Sequence, residues 1–61
     1  MYIVQRRRTD LSSWHTVKSP HGKYQGKDIE TARMFLEKAK KEFPGKEHRI
    51  VDGKTGEVVD T

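Results

Sequence analysis

The stretch Asp28-Ile29-Glu30-Thr31-Ala32-Arg33-Met34-Phe35-Leu36-Glu37-Lys38-Ala39-Lys40-Lys41-Glu42-Phe43-Pro44-Gly45 decides the fold. Ile29, Ala32, Leu36, Ala39 and Phe43 recur at steps of three and four, so at helical pitch they fall within about 80° of one another. Asp28 is placed to accept the free N–H groups of a first turn, and Glu30 adds negative charge near the positive end of the dipole. Pro44-Gly45 stops the helix, with Lys38, Lys40 and Lys41 near its negative end. One apolar stripe on one helix needs one surface to cover. Phe35 borders the stripe, while Met34 points away from it, where a flexible thioether has nothing to gain from burial.

That surface is expected from the flanks. Tyr2–Arg8 opens with a β-branched pair and Trp14–Lys18 follows after the turn residues Thr9–Ser13, which reads as a hairpin. Pro20, Gly22 and Gly26 break regular structure, so 19–27 is expected to be a loop. After the helix, His48–Val51 and Glu57–Asp60 flank the glycine-bearing Asp52-Gly53-Lys54-Thr55-Gly56 and form a second hairpin. The expected fold class is α+β: a small antiparallel sheet with one helix packed on one face, in the order β-β-α-β-β. Residues 1–61 make a single small domain, because a chain this short buries only about 60% of the surface it exposes when unfolded.

Alternation splits the first strand into Tyr2, Val4, Arg6 and Arg8 against Ile3, Gln5 and Arg7, and the second into Trp14, Thr16 and Lys18 against His15 and Val17. Neither set is cleanly apolar. Sequence alone therefore leaves open which face the helix covers.

Charge is distributed unevenly. Residues 1–27 hold six cations (Arg6, Arg7, Arg8, Lys18, Lys23 and Lys27) against Asp10, a net +5, while 28–44 are neutral and 45–61 carry −1, giving the overall +4. Such asymmetry points to an acidic partner. The expected function is a non-enzymatic binding module that contacts a nucleic-acid backbone, DNA or RNA, with Arg6, Arg7, Arg8, Lys18, Lys23 and Lys27 pairing with phosphates. Trp14 and Tyr24 are the candidate stacking rings beside them. A planar guanidinium fork suits phosphate because it bonds two oxygens at once. The alternative is a protein-interaction module that docks on an acidic host protein through the same hairpin. Against both stands the solvated strand end, and Trp14 is itself expected to fill the core of so small a domain.

The pattern Trp14-His15-Thr16-Val17, Tyr24, the acid-capped helix with Ala32, Phe43-Pro44-Gly45-Lys46, Arg49-Ile50-Val51-Asp52 and Thr55-Gly56-Glu57-Val58-Val59 resembles short uncharacterised reading frames of bacteriophages and prophages. The resemblance spans about residues 14–59. It implies a small protein made inside a bacterial host that acts by binding a host or phage macromolecule. Its motifs are structural and assign no site residue.

Other chemistries lack their residues. The chain has no cysteine and no His-x-x-x-His pair, so His15, His21 and His48 are expected to be surface residues and neither a metal nor a cofactor is expected. Ser12, Ser13 and Ser19 lack a nucleophile-elbow sequence, and so short a chain is not expected to enclose a pocket for a small-molecule substrate. Gly53-Lys54-Thr55 lacks both the earlier loop glycine and the following helix of a phosphate loop. No apolar run approaches the roughly 20 residues of a membrane span, and with no disulfide framework the expected location is cytoplasmic, away from membranes.

Overall fold

The computed structural model describes residues 1–19 and 22–61. Pro20 and His21, expected in a loop, lie outside the described residues. The elements run β1 (Tyr2–Arg7), β2 (His15–Thr16), β3 (Lys18–Ser19), β4 (Gly22–Lys23), β5 (Gln25–Gly26), α1 (Ile29–Glu42), β6 (Glu47–Asp52) and β7 (Val58–Asp60). The fold is a small α+β domain, with one helix on an antiparallel sheet.

The helix forms as its cap and stripe dictate. Asp28 stays extended and its Oδ1 accepts the Thr31 N–H at 2.8 Å, which holds its carboxyl below the usual carboxylate range. At the other end the Phe43 N–H donates to Ala39 O at 2.9 Å, and Gly45 takes φ +83°, a left-handed conformation glycine adopts without strain. Ala32, Leu36 and Ala39 are buried against Val4, Val17, Tyr24 and Ile50, with Tyr2, Ile29, Phe35 and Phe43 closing the margin. Met34 faces solvent, as its place outside the stripe requires.

In the sheet, β1 is central. It pairs with β6 along its whole length, from Tyr2 opposite Asp52 to Arg7 opposite Glu47, and β6 pairs with β7. Its other edge is shared: β2 pairs with the Gln5–Arg6 part and β5 with the Tyr2–Ile3 part. Between these half-strands the chain leaves the sheet as a two-stranded ribbon, β3 with β4, registering Lys18 opposite Lys23 and Ser19 opposite Gly22. This corrects the loop expected over 19–27 and extends the simple β-β-α-β-β order. Glycine and proline tolerate a loop there, but the main-chain groups on the free edge of β1 still need partners, and the chain returns to supply them.

The covered face is settled by the core. Val4 and Ile50 are fully buried beneath the helix, so Tyr2, Val4 and Arg6 lie on the helix side. Ile3, Gln5 and Arg7 therefore share the opposite face with Val51, Arg49 and Glu47, their register partners.

Close approach of the helix start to β5 fixes one residue. A Cβ on the buried Gly26 would lie 2.8 Å from Thr31 Cβ and 2.9 Å from Ala32 N. Gly26→Ala should therefore lower the unfolding free energy by about 2 kcal/mol in a denaturant titration, as overpacking does in a rigid core. An unchanged midpoint and slope would contradict this packing.

Candidate phosphate-binding recess

The arginine triplet meets at the end of β1. Arg6, Arg7 and Arg8 line a depression of about 390 Å³ together with Ser12, His15 and Lys46. Alternation sends Arg6 and Arg7 to opposite faces, yet both reach the recess because it sits at the end of the sheet. The turn Thr9–Ser13 supplies Ser12, and β2 places His15 opposite Arg6. Lys46 arrives by register: Arg7 lies opposite Glu47, and one step further brings Lys46 beside Arg8.

Each cation is held differently. The Arg6 guanidinium lies over the Phe43 ring, 3.9 Å from its centroid, and so is braced by the end of the helix. Arg7 forms a two-pronged pair with Glu47, Nε to Oε2 at 2.7 Å and Nη2 to Oε1 at 3.2 Å, and its Nη1 donates to Asp10 O at 3.4 Å. The hydrogen bonds of that pair raise the Arg7 pKa and hold the Glu47 carboxyl below its usual range. Among the described residues no carboxylate pairs with Arg6, Arg8 or Lys46. Three charges at the recess are thus uncompensated.

Trp14 is not in the core. It is half-buried on the face opposite the helix, with the Arg7 and Arg49 guanidinium groups 4.6 Å and 4.1 Å from its ring centroid. One step before β2, it faces Arg7 rather than the helix, and the flanking guanidinium groups offset its exposure. Arg49 is further fixed by Gln5, whose Oε1 accepts its Nε at 2.8 Å. The open face thus carries an Arg7–Trp14–Arg49 cluster beside the recess.

Tyr24 does not face a partner. It is 3% exposed, stacks on Phe35 with centroids 5.2 Å apart, and donates its hydroxyl to Glu42 Oε1 at 2.6 Å. That hydrogen bond, aided by burial, raises its pKa. Tyr24 can enter the core beside Phe35 because its hydroxyl reaches a carboxylate at the rim.

The lysines divide from the arginines. Lys18 and Lys23 stand opposite each other on the β3–β4 ribbon, and Lys27 is exposed just before the helix cap; none of the three lines the recess. Lys46, His15 and Ser12 do, and sequence reading missed them as partners of the triplet. The signal for Lys46 was the β1–β6 register, that for His15 the β1–β2 register, and Ser12 comes from the turn between β1 and β2.

His48, expected at the surface, is 8% exposed, and its Nε2 has no hydrogen-bond partner. It stands opposite Arg6 on the helix side of β6. Burial lowers its pKa below 6.5; a hydrogen bond to the Lys46 backbone opposes this, and the charges of Arg6 and Lys40 add to the lowering. Among the described residues no three His, Asp or Glu side chains gather to hold a metal ion, and no helix is long and apolar enough to cross a membrane.

No family model, curated protein or solved structure matches the chain.

The pKa of His48 sets a pH dependence. Well above pH 6.5 neither state protonates it; as pH falls through 6.5 the unfolded chain takes up a proton that the folded chain resists, so stability declines. Thermal melts should show a lower Tm at pH 5.5 than at pH 7.5, and His48→Leu should flatten that slope. An equal slope in the variant would contradict the buried neutral imidazole.

Proposed function

We propose that the protein binds a nucleic-acid backbone through the recess at the end of β1. The observation that carries this reading is the lining itself: Arg6, Arg8 and Lys46 without a carboxylate partner, Arg7 held rigid by Glu47, and the hydrogen-bonding side chains of Ser12 and His15 among them. A concave site with one sign of charge concentrates the field and draws in anions. Guanidinium forks then pair with phosphate oxygens in two-point contacts. In this reading the recess acts by binding, setting its cationic and hydrogen-bonding side chains around a phosphate group.

Backbone contact of this kind is sequence-tolerant and releases counterions, so its affinity falls steeply with salt. Trp14 serves the site by bracing Arg7 and Arg49 rather than by stacking directly, since both guanidinium groups lie against its ring. The Lys18–Lys23 ribbon is a separate basic projection. Like charges directly opposite on paired strands repel, so an approaching polyanion would relieve that pair as a secondary contact.

The test is a salt series with short DNA and RNA of unrelated sequence. The double substitution Arg8→Ala/Lys46→Ala should reduce the slope of log affinity against log salt by about 1.5, the share of two phosphate contacts. Lys18→Ala/Lys23→Ala should change it less. No retardation at low salt, or a slope moved only by the ribbon lysines, would overturn the proposal.

A further inference from the structure

The recess is a local, half-open depression at the end of the sheet. Its volume of about 390 Å³ accommodates one phosphate with part of its ester substituent, and the Thr9–Ser13 turn contributes Ser12 to its wall. It is lined by Arg6, Arg8 and Lys46, three cations with no carboxylate partner among the described residues, alongside Arg7, whose charge Glu47 offsets. An internal phosphodiester carries a single negative charge, whereas a phosphomonoester carries about −1.5 to −2 at pH 7 and three terminal oxygens. The surplus of positive charge favours the more highly charged monoester.

From this we infer that the recess captures the terminal phosphate of a nucleic-acid strand in preference to its internal phosphates. The inference rests on the nucleic-acid reading above. It adds the part of the polymer that is recognised.

The surroundings favour a nucleic-acid end over a phosphorylated peptide. None of the lining residues is apolar, so side chains flanking a phosphoserine would find no subsite to fill. A sugar and base leaving the recess meet the Arg7–Trp14–Arg49 cluster instead. There Arg49 is tethered by the Trp14 ring and by its hydrogen bond to Gln5, and guanidinium groups can stack on the face of a base. Arg6 is braced against Phe43 at the end of the sheet, which favours a contact there over one that follows a longer backbone.

The experiment compares one fluorescent oligonucleotide in three forms, with a 5′-phosphate, a 3′-phosphate or only hydroxyl ends, by anisotropy at fixed salt. A phosphorylated end should bind about tenfold more tightly or better than hydroxyl ends. Inorganic phosphate should erase that advantage by competition. Arg8→Ala/Lys46→Ala should bring the forms to parity. Both side chains are exposed, so an unchanged thermal melt separates this effect from unfolding. Equal affinity for all forms, with a steep salt slope, overturns this inference and leaves backbone binding standing. Failure of every form to bind at low salt overturns both. A phosphoserine peptide that binds as tightly as the phosphorylated strand overturns the assignment to a nucleic-acid end.

Discussion

Three main-chain hydrogen bonds among Val4, Val17 and Tyr24 hold this structure in its particular form. The Val17 N–H donates to Val4 O at 3.0 Å, the Val4 N–H to Tyr24 O at 2.9 Å, and the Tyr24 N–H to Val17 O at 2.9 Å. All three residues are buried, where an unsatisfied backbone group would cost roughly 1–3 kcal/mol. The loop of bonds pinches off the β3–β4 ribbon at its base and lays β2 and β5 on the same edge of β1. From that follow the entry of Tyr24 into the core, the seat of the helix start on Gly26, and the position of His15 beside Arg6.

Charge placement follows from the same constraint. Because β2 occupies only the far half of the β1 edge, Trp14 and the preceding turn sit at the end of the sheet, where the arginines emerge. Register with β6 supplies Glu47 and Lys46 at the same place. One carboxylate immobilises one arginine, and the remaining cations stay uncompensated. A surface that merely resisted aggregation would scatter such charges or pair them; here they share one depression, braced by Phe43 on one side of the sheet and Trp14 on the other.

Much of the architecture was legible in sequence because it is written locally. The helix carries its own cap, stripe and stop, and the β6–β7 hairpin carries its own turn, with the Lys54 N–H donating to Asp52 Oδ1 at 2.8 Å and Gly56 at φ +77°. The β3–β4 ribbon was not legible. Two-residue strands show no periodicity, and glycine and proline read as a break. Face assignment failed for a related reason: apolar residues and arginine occur on both sets of β1, and amphipathic side chains such as Arg6 can lie on the core side with the charged head at the rim. Trp14 moved outward and Tyr24 inward, since partners distant in sequence, Arg49 for one and Glu42 for the other, decide where an aromatic ring is satisfied. Lys46 escaped notice because only the pairing of β1 with β6 brings it to Arg8.

The most direct measurement is an amide NMR titration of the full chain with inorganic phosphate. Binding at the recess predicts saturable shifts at Arg6, Arg7, Arg8, Ser12, His15 and Lys46, with Lys18, Lys23 and Lys27 moving little. Shifts confined to the ribbon lysines, or small and unsaturable changes spread over every basic residue, would contradict a built phosphate site at the end of β1.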